Sequence, residues 1–235
     1  MKNVNSSFKA KPNPQRTWAP GLLFAILIIL FWRSFTPDFV HFSNDGPLGM
    51  QNAAWMHFPE SMSGQWYDLN SIGNSAGASS PDLATLIHWI IGPVGYAKFL
   101  APIALWILGV GAWFFFRQLK LSPLAAVLGG LAAALNSTFF STACWGVASQ
   151  QIAIGMDFFA LGLIAGNSPA TPGLTRWTRL ALAGLCVGTN VMEAADIGAI
   201  FSLFIAAFVL FKALNEEGIP AVQKKLILKS RVFAG

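Results

Sequence analysis

Apolar runs of nearly bilayer length recur along this chain, and they restrict its fold more than any other feature. A membrane helix needs about 20 predominantly apolar residues. Runs approaching that length occur at residues 19–35, 94–116, 123–140, 152–165, 180–192 and 194–214. Backbone amides in a bilayer must be bonded internally, which leaves helices or closed barrels. No series of short alternating strands is present, so a barrel is excluded. The expected class is an all-α polytopic membrane protein with about six transmembrane segments. Composition agrees: 54% of the 235 residues are hydrophobic and 11% charged, against about 25% charged in soluble domains.

The one long polar stretch, residues 42–82, stands between the first two runs. It carries Asp45, Glu60, Asp68 and Asp82, with no Lys or Arg. A polar connection of this length is either functional or disordered. Its Trp55, Trp66 and Tyr67 favour a folded element. Residues 48–62 place apolar groups at Leu48, Ala53, Trp55, Met56, Phe58 and Met62, which suits an amphipathic helix at a membrane surface. Pro47 starts it and Pro59 breaks it. Pro81-Asp82 opens a short second helix, residues 83–91, stopped by Gly92-Pro93. Ser122-Pro123 caps a later helix rich in Ala and Gly, a face that lets neighbouring helices approach closely. Residues 141–151 and 167–179 read as loops.

The divisions that follow are a basic tail at 1–18, a signal anchor at 19–35, an extracytoplasmic loop at 36–93, a helical bundle at 94–214 and a second tail or linker at 215–235. The net charge of +5 fits this threading rather than nucleic-acid binding. With the N-terminus in the cytoplasm, thirteen of the fifteen basic residues fall on the cytoplasmic side, and only Arg33 and Lys98 fall opposite, at span ends where they can snorkel. Asp38, Asp45, Glu60, Asp68, Asp82, Glu193 and Asp196 collect on the outer face. Cys144 and Cys186 have no metal or redox spacing.

Acids at membrane depth are costly and often functional. Asp45 admits two readings, a cap for the helix near Pro47 or a general base. Asp82 reads as a first-turn acid favoured by the helix dipole. Asp157 would pair with a polar neighbour in the bundle. Glu193 and Asp196 are three apart, so on one helix they share a face. His57 and His88 read as interfacial, since no second ligand stands at metal spacing. A base acting on a lipid-phosphate sugar also needs cations for the phosphate, and only Arg33 and Lys98 are available outside.

Two stretches carry a family resemblance: residues 65–82, opening Gln-Trp-Tyr-Asp and closing Ser-Pro-Asp, and residues 117–137, which contain Leu-Ser-Pro-Leu-Ala-Ala-Val-Leu-Gly-Gly. With the anchor, the acid-bearing first loop and the short helix before the second span, the order resembles the N-terminal portion of bacterial YfhO-like membrane proteins of the GT-C glycosyltransferase superfamily. The resemblance covers residues 24–165, and more loosely 180–214. It implies a polyprenyl-phosphate-sugar-dependent transferase in the inner membrane, with Asp45 at the position of the catalytic acid. Glu193, Asp196, Trp66 and Asp68 become the candidate substrate-binding residues, with Glu193 and Asp196 holding the acceptor or a divalent metal. The family pattern near the second acidic position contains His or Asn with Pro, where this chain has Met-Glu-Ala-Ala-Asp. Relatives usually have many more spans. Two expectations follow: the front part of a larger transferase, or a shortened, non-catalytic integral subunit that packs on other membrane proteins through its small-residue helix.

Overall fold

The computed structural model describes residues 18–41, 43–62, 82–168 and 171–217. Every regular element among them is helical: α1 (Trp18–Leu30), α2 (Leu48–Met56), α3 (Leu83–Gln118), α4 (Pro123–Ala134), α5 (Ser137–Cys144), α6 (Ala148–Ala165), α7 (Gly173–Glu193) and α8 (Ala195–Glu217). Three of these, α3, α6 and α8, are long and apolar enough to cross a membrane, or four spans if the bent α4–α5 pair counts as one.

Among the described residues three or four spans are shown by length and composition, and the rest of the expected six are not. The run at 19–35 does not make one helix: α1 stops at Leu30 and a 3-10 turn, Trp32–Phe35, follows. Its 13 residues rise about 20 Å, short of the roughly 30 Å of a hydrocarbon core. Helix α7 is long, but Thr, Arg and Asn interleave its apolar residues.

Helix α3 is the spine, with α4 and α6 packed along it and α7 and α8 packed on α6. It is broken where the sequence predicts. Gly92 sits at φ 71°, ψ 173°, a backbone conformation open to glycine at little cost. Pro93 then starts the second piece, and no other residue of α3 leaves helical geometry, so Pro102 introduces no break. The first piece, nine residues from Leu83, is too short to span; the second is long enough. Leu23, Leu27 and Phe31 repeat every four residues and are buried, while Phe24, Ile29 and Leu30 on the remaining surface of α1 are exposed.

Close packing explains the Gly- and Ala-rich α4. A Cβ on Gly130 would stand 2.7 Å from the Gly109 carbonyl of α3, and Ala126 and Ala134 are fully buried. The face expected to meet partner proteins is largely occupied by the chain's own α3. Ser122 caps α4 as its sequence predicts, its hydroxyl accepting from the Ala125 amide at 3.2 Å.

The expected loop at 141–151 is mostly helix. The Asn136 side chain accepts from the Thr138 and Phe139 amides and starts α5, bent 44° from α4, so only residues 145–147 remain as a turn. The loop at 167–179 also shortens, because α7 begins at Gly173 and carries Arg176 and Arg179. Both cysteines are free thiols.

Candidate functional site

Hydrogen bonds tie three distant stretches into one end of the bundle: the first loop, the α5–α6 turn, and the α7–α8 break with the start of α3. The expectation that these segments share a face holds in this respect. In the first loop, Ser43 Oγ donates to the Trp145 carbonyl at 3.1 Å and accepts from the Gly46 amide at 2.9 Å. The Asp45 amide also reaches the Trp145 carbonyl, at 3.4 Å. The turn can dock because Gly146 adopts φ +100° and has no side chain; a Cβ there would fall 1.9 Å from Ser43 Oγ.

That docking holds the Asn44-Asp45-Gly46 turn and leaves Asp45 exposed. Its carboxylate accepts from Asn44 Nδ2 at 3.3 Å. It does not cap α2: the N-cap residue is Pro47, which makes no side-chain cap bond. The capping alternative for Asp45 is thus removed.

The second acidic position has a different geometry from the one expected. Glu193 ends α7 and Asp196 lies in the first turn of α8, with Ala194 extended between them at φ −151°, ψ 91°. The break removes the helical register that would have aligned them. Glu193 is 7% exposed, whereas Asp196 faces solvent. The one-face alignment expected from their spacing is therefore absent.

Glu193 instead meets the start of α3. Its Oε1 accepts from the Ala84 amide at 3.0 Å, and Asp82, the N-cap residue, accepts from the Thr85 amide at 2.6 Å. Two carboxylates therefore serve one helix N-terminus, whose free amides and dipole favour negative charge. Burial raises the Asp82 carboxyl above its ordinary value, despite the Thr85 bond. Burial, and then the Asp82 charge, raise Glu193 to about 7. Glu193 Oε2 is buried with no hydrogen-bond partner among the described residues.

Beside this pair, His88 is packed between two rings, 5.2 Å from Phe58 and 4.4 Å from Tyr96 between centroids. It is 4% exposed, so it is a buried group rather than an interfacial one. One turn before Glu193 on α7, Asn190 Nδ2 donates to Asp157 Oδ1 of α6 at 2.6 Å. Asp157 thus has the bundle partner its position requires.

A cavity of about 380 Å³ opens beside Asp82. Asp82 and Trp89 line it from α3, Met62 from the first loop, Met156 from α6, and Thr189 and Met192 from α7. Trp55 Nε1 fixes this wall by donating to the Trp89 carbonyl at 3.2 Å.

The two cations expected near the outer acids are placed differently. Lys98 is buried rather than snorkelling, because its ammonium donates to the Thr36 and Pro37 carbonyls. Arg33 is exposed and stands 5.3 Å over the Phe39 ring. Among the described residues, no three of His, Cys, Asp and Glu gather as a metal site. Trp66 and Asp68, the remaining candidate substrate-binding residues, lie outside the described residues.

Comparison with known proteins gives no match to a family model, a curated protein or a solved structure. The geometry of the acidic end therefore carries the functional reading.

Proposed function

We propose that this chain is a GT-C-like membrane glycosyltransferase, or the N-terminal half of one. In this reading it transfers a sugar from a polyprenyl-phosphate carrier at the outer face of a bacterial inner membrane, with the N-terminus in the cytoplasm. The observation that carries the proposal is the presentation of Asp45. A backbone clamp on Trp145 holds the turn, while the carboxylate stays accessible and caps nothing. A general base needs both a fixed position and access to the hydroxyl it deprotonates. The wider arrangement also supports it: the described part of the polar loop, residues 43–62, and a short helix precede a long span. Arg33, which has no carboxylate partner among the described residues, is the cation available to the carrier phosphate. The test is sugar transfer from a labelled polyprenyl-phosphate donor by the protein in lipid vesicles. Asp45→Asn should lower the rate at least about 100-fold, the scale of losing a general base, with unchanged thermal stability. Retained transfer removes Asp45 from the chemistry.

The second reading is a non-catalytic integral subunit, and α8 favours it. Only 11% of its apolar window is buried, and Ile200, Leu203, Phe204 and Phe211 are exposed. In this reading the partner surface is α8 rather than α4. It predicts stable co-purification with another membrane protein, lost when Leu203 and Phe204 are both changed to Ala and unaffected by Asp45→Asn. Persistence of the complex in the α8 variant rules out that surface.

A further inference from the structure

The cavity beside Asp82 has a chemistry that glycosyl transfer at Asp45 does not use. Its volume, about 380 Å³, lies in the range of small-molecule pockets. Among the described residues its charge has one sign: Asp82 lines it, Glu193 stands behind it on the same helix N-terminus, and no Lys or Arg is in its lining. The remaining wall is soft and apolar. Trp89 supplies an aromatic surface, and Met62, Met156 and Met192 supply three thioethers. Thr189 donates its hydroxyl proton to the Leu185 carbonyl at 3.0 Å, so toward the cavity it can only accept.

These features exclude most ligand classes. An anion would meet the Asp82 carboxylate where the helix amides already have acidic acceptors. A hard divalent cation prefers six or more oxygens, and Asp82 and Thr189 are the oxygen-bearing side chains among the named lining. An uncharged apolar ligand would leave the Asp82 carboxylate in a drier site without compensation. An organic cation satisfies all three walls, because its charge faces the carboxylate while its carbon shell meets the ring and thioethers. Glu193, which does not line the cavity, adds a buried acid behind Asp82 on the same helix N-terminus. It is more than nine-tenths buried, and its Oε2 has no partner among the described residues. A positive charge in the adjoining cavity offsets the cost of its burial.

We propose that this cavity binds an organic monocation, a protonated or quaternary amine on a compact apolar body, with Asp82 as counter-ion, Trp89 as the π surface and Glu193 as the buried second charge. The site does not depend on Asp45, so it can stand whether or not the transferase reading does.

The probe is choline, set against its uncharged isostere 3,3-dimethylbutan-1-ol. Binding is measured by calorimetry on the full chain in phosphatidylglycerol nanodiscs. Choline should bind at least about tenfold more tightly than the isostere, the scale of a partly desolvated cation–π contact with a counter-ion. Asp82→Asn should weaken choline about tenfold or more and leave the isostere unchanged. Asn is itself a good N-cap, so this variant keeps α3 capped. Trp89→Leu should weaken choline several-fold; Trp55 bonds the residue-89 carbonyl, so its anchor survives. Asp45→Asn should bind choline like the parent. Equal binding of the two probes, or undiminished choline binding in Asp82→Asn, overturns the proposal. Nanodiscs containing phosphatidylethanolamine distinguish the source of the amine: competition with choline assigns the site to a lipid head group, and its absence assigns it to a free amine.

Discussion

Replacing Glu193 by Gln should stabilise this protein above neutral pH and leave it unchanged in acid. In the folded chain burial and the neighbouring Asp82 raise the Glu193 carboxyl from 4.5 to about 7. Protonation is therefore easier in the folded state than in the unfolded one. As pH rises from about 4.5 to 7 the unfolded chain releases this proton first, and stability falls. Above about 7 the folded protein carries the full cost of a buried charge. The rise to about 7 corresponds to about 3 kcal/mol, an upper value before relaxation. Gln keeps an oxygen acceptor for the Ala84 amide and cannot ionise. The parent and Glu193→Gln should thus unfold at the same temperature near about pH 4, and at about pH 8 the variant should unfold several degrees higher. The assay is thermal unfolding of both proteins in the same nanodiscs across that range. The difference between them isolates Glu193 from the other buried acids. A constant difference, or a variant less stable than the parent at high pH, would refute the coupling between Glu193 burial, Asp82 and the start of α3.

Two further perturbations test the packing that sets this end of the bundle. Gly146→Ala must place a side chain at φ +100° and against Ser43; it should cost about 1–3 kcal/mol and release the first loop, seen as faster proteolysis between α1 and α2. Unchanged proteolysis would mean the clamp on Trp145 does not hold the loop. Asn190→Leu leaves Asp157 buried without its bond from α7 and should destabilise the fold by about 1–3 kcal/mol, measured by thermal unfolding; Asp157→Asn in the same chain should recover part of that loss, and no recovery would argue against a paired role.

What the sequence showed best were features with local causes. The break at Gly92-Pro93, the turn at Pro59 and the Ser122 cap all follow from proline, glycine or a short polar side chain acting on the adjacent backbone. The span count was legible only in part, because apolar composition does not report helix length. The run through Phe35 tightens into a 3-10 turn, and the run beyond Ala134 bends at an asparagine that caps the next helix. The site was half legible. Asp45 and Glu193 stood out as acids beside apolar runs, yet pairing Glu193 with Asp196 assumed a continuous helix. The acid beside it, Asp82, lies over a hundred positions away and read as a first-turn acid, whereas it is the N-cap residue of α3. Asn190 had a usable signal, three positions before Glu193 on a helix. His88 and Tyr96 had none, because the Gly92 kink brings their rings together.

The account requires the first loop, the α5–α6 turn and the α7–α8 break to face outward together. Single cysteines at Asn44, Asp196 and Lys120, in a chain with Cys144 and Cys186 replaced by Ser, test this with a membrane-impermeant maleimide on intact cells. Asn44→Cys and Asp196→Cys should both be labelled, and Lys120→Cys only after the membrane is opened. Labelling of Lys120→Cys on intact cells, with Asn44→Cys and Asp196→Cys protected, would put the acidic end in the cytoplasm and contradict the account.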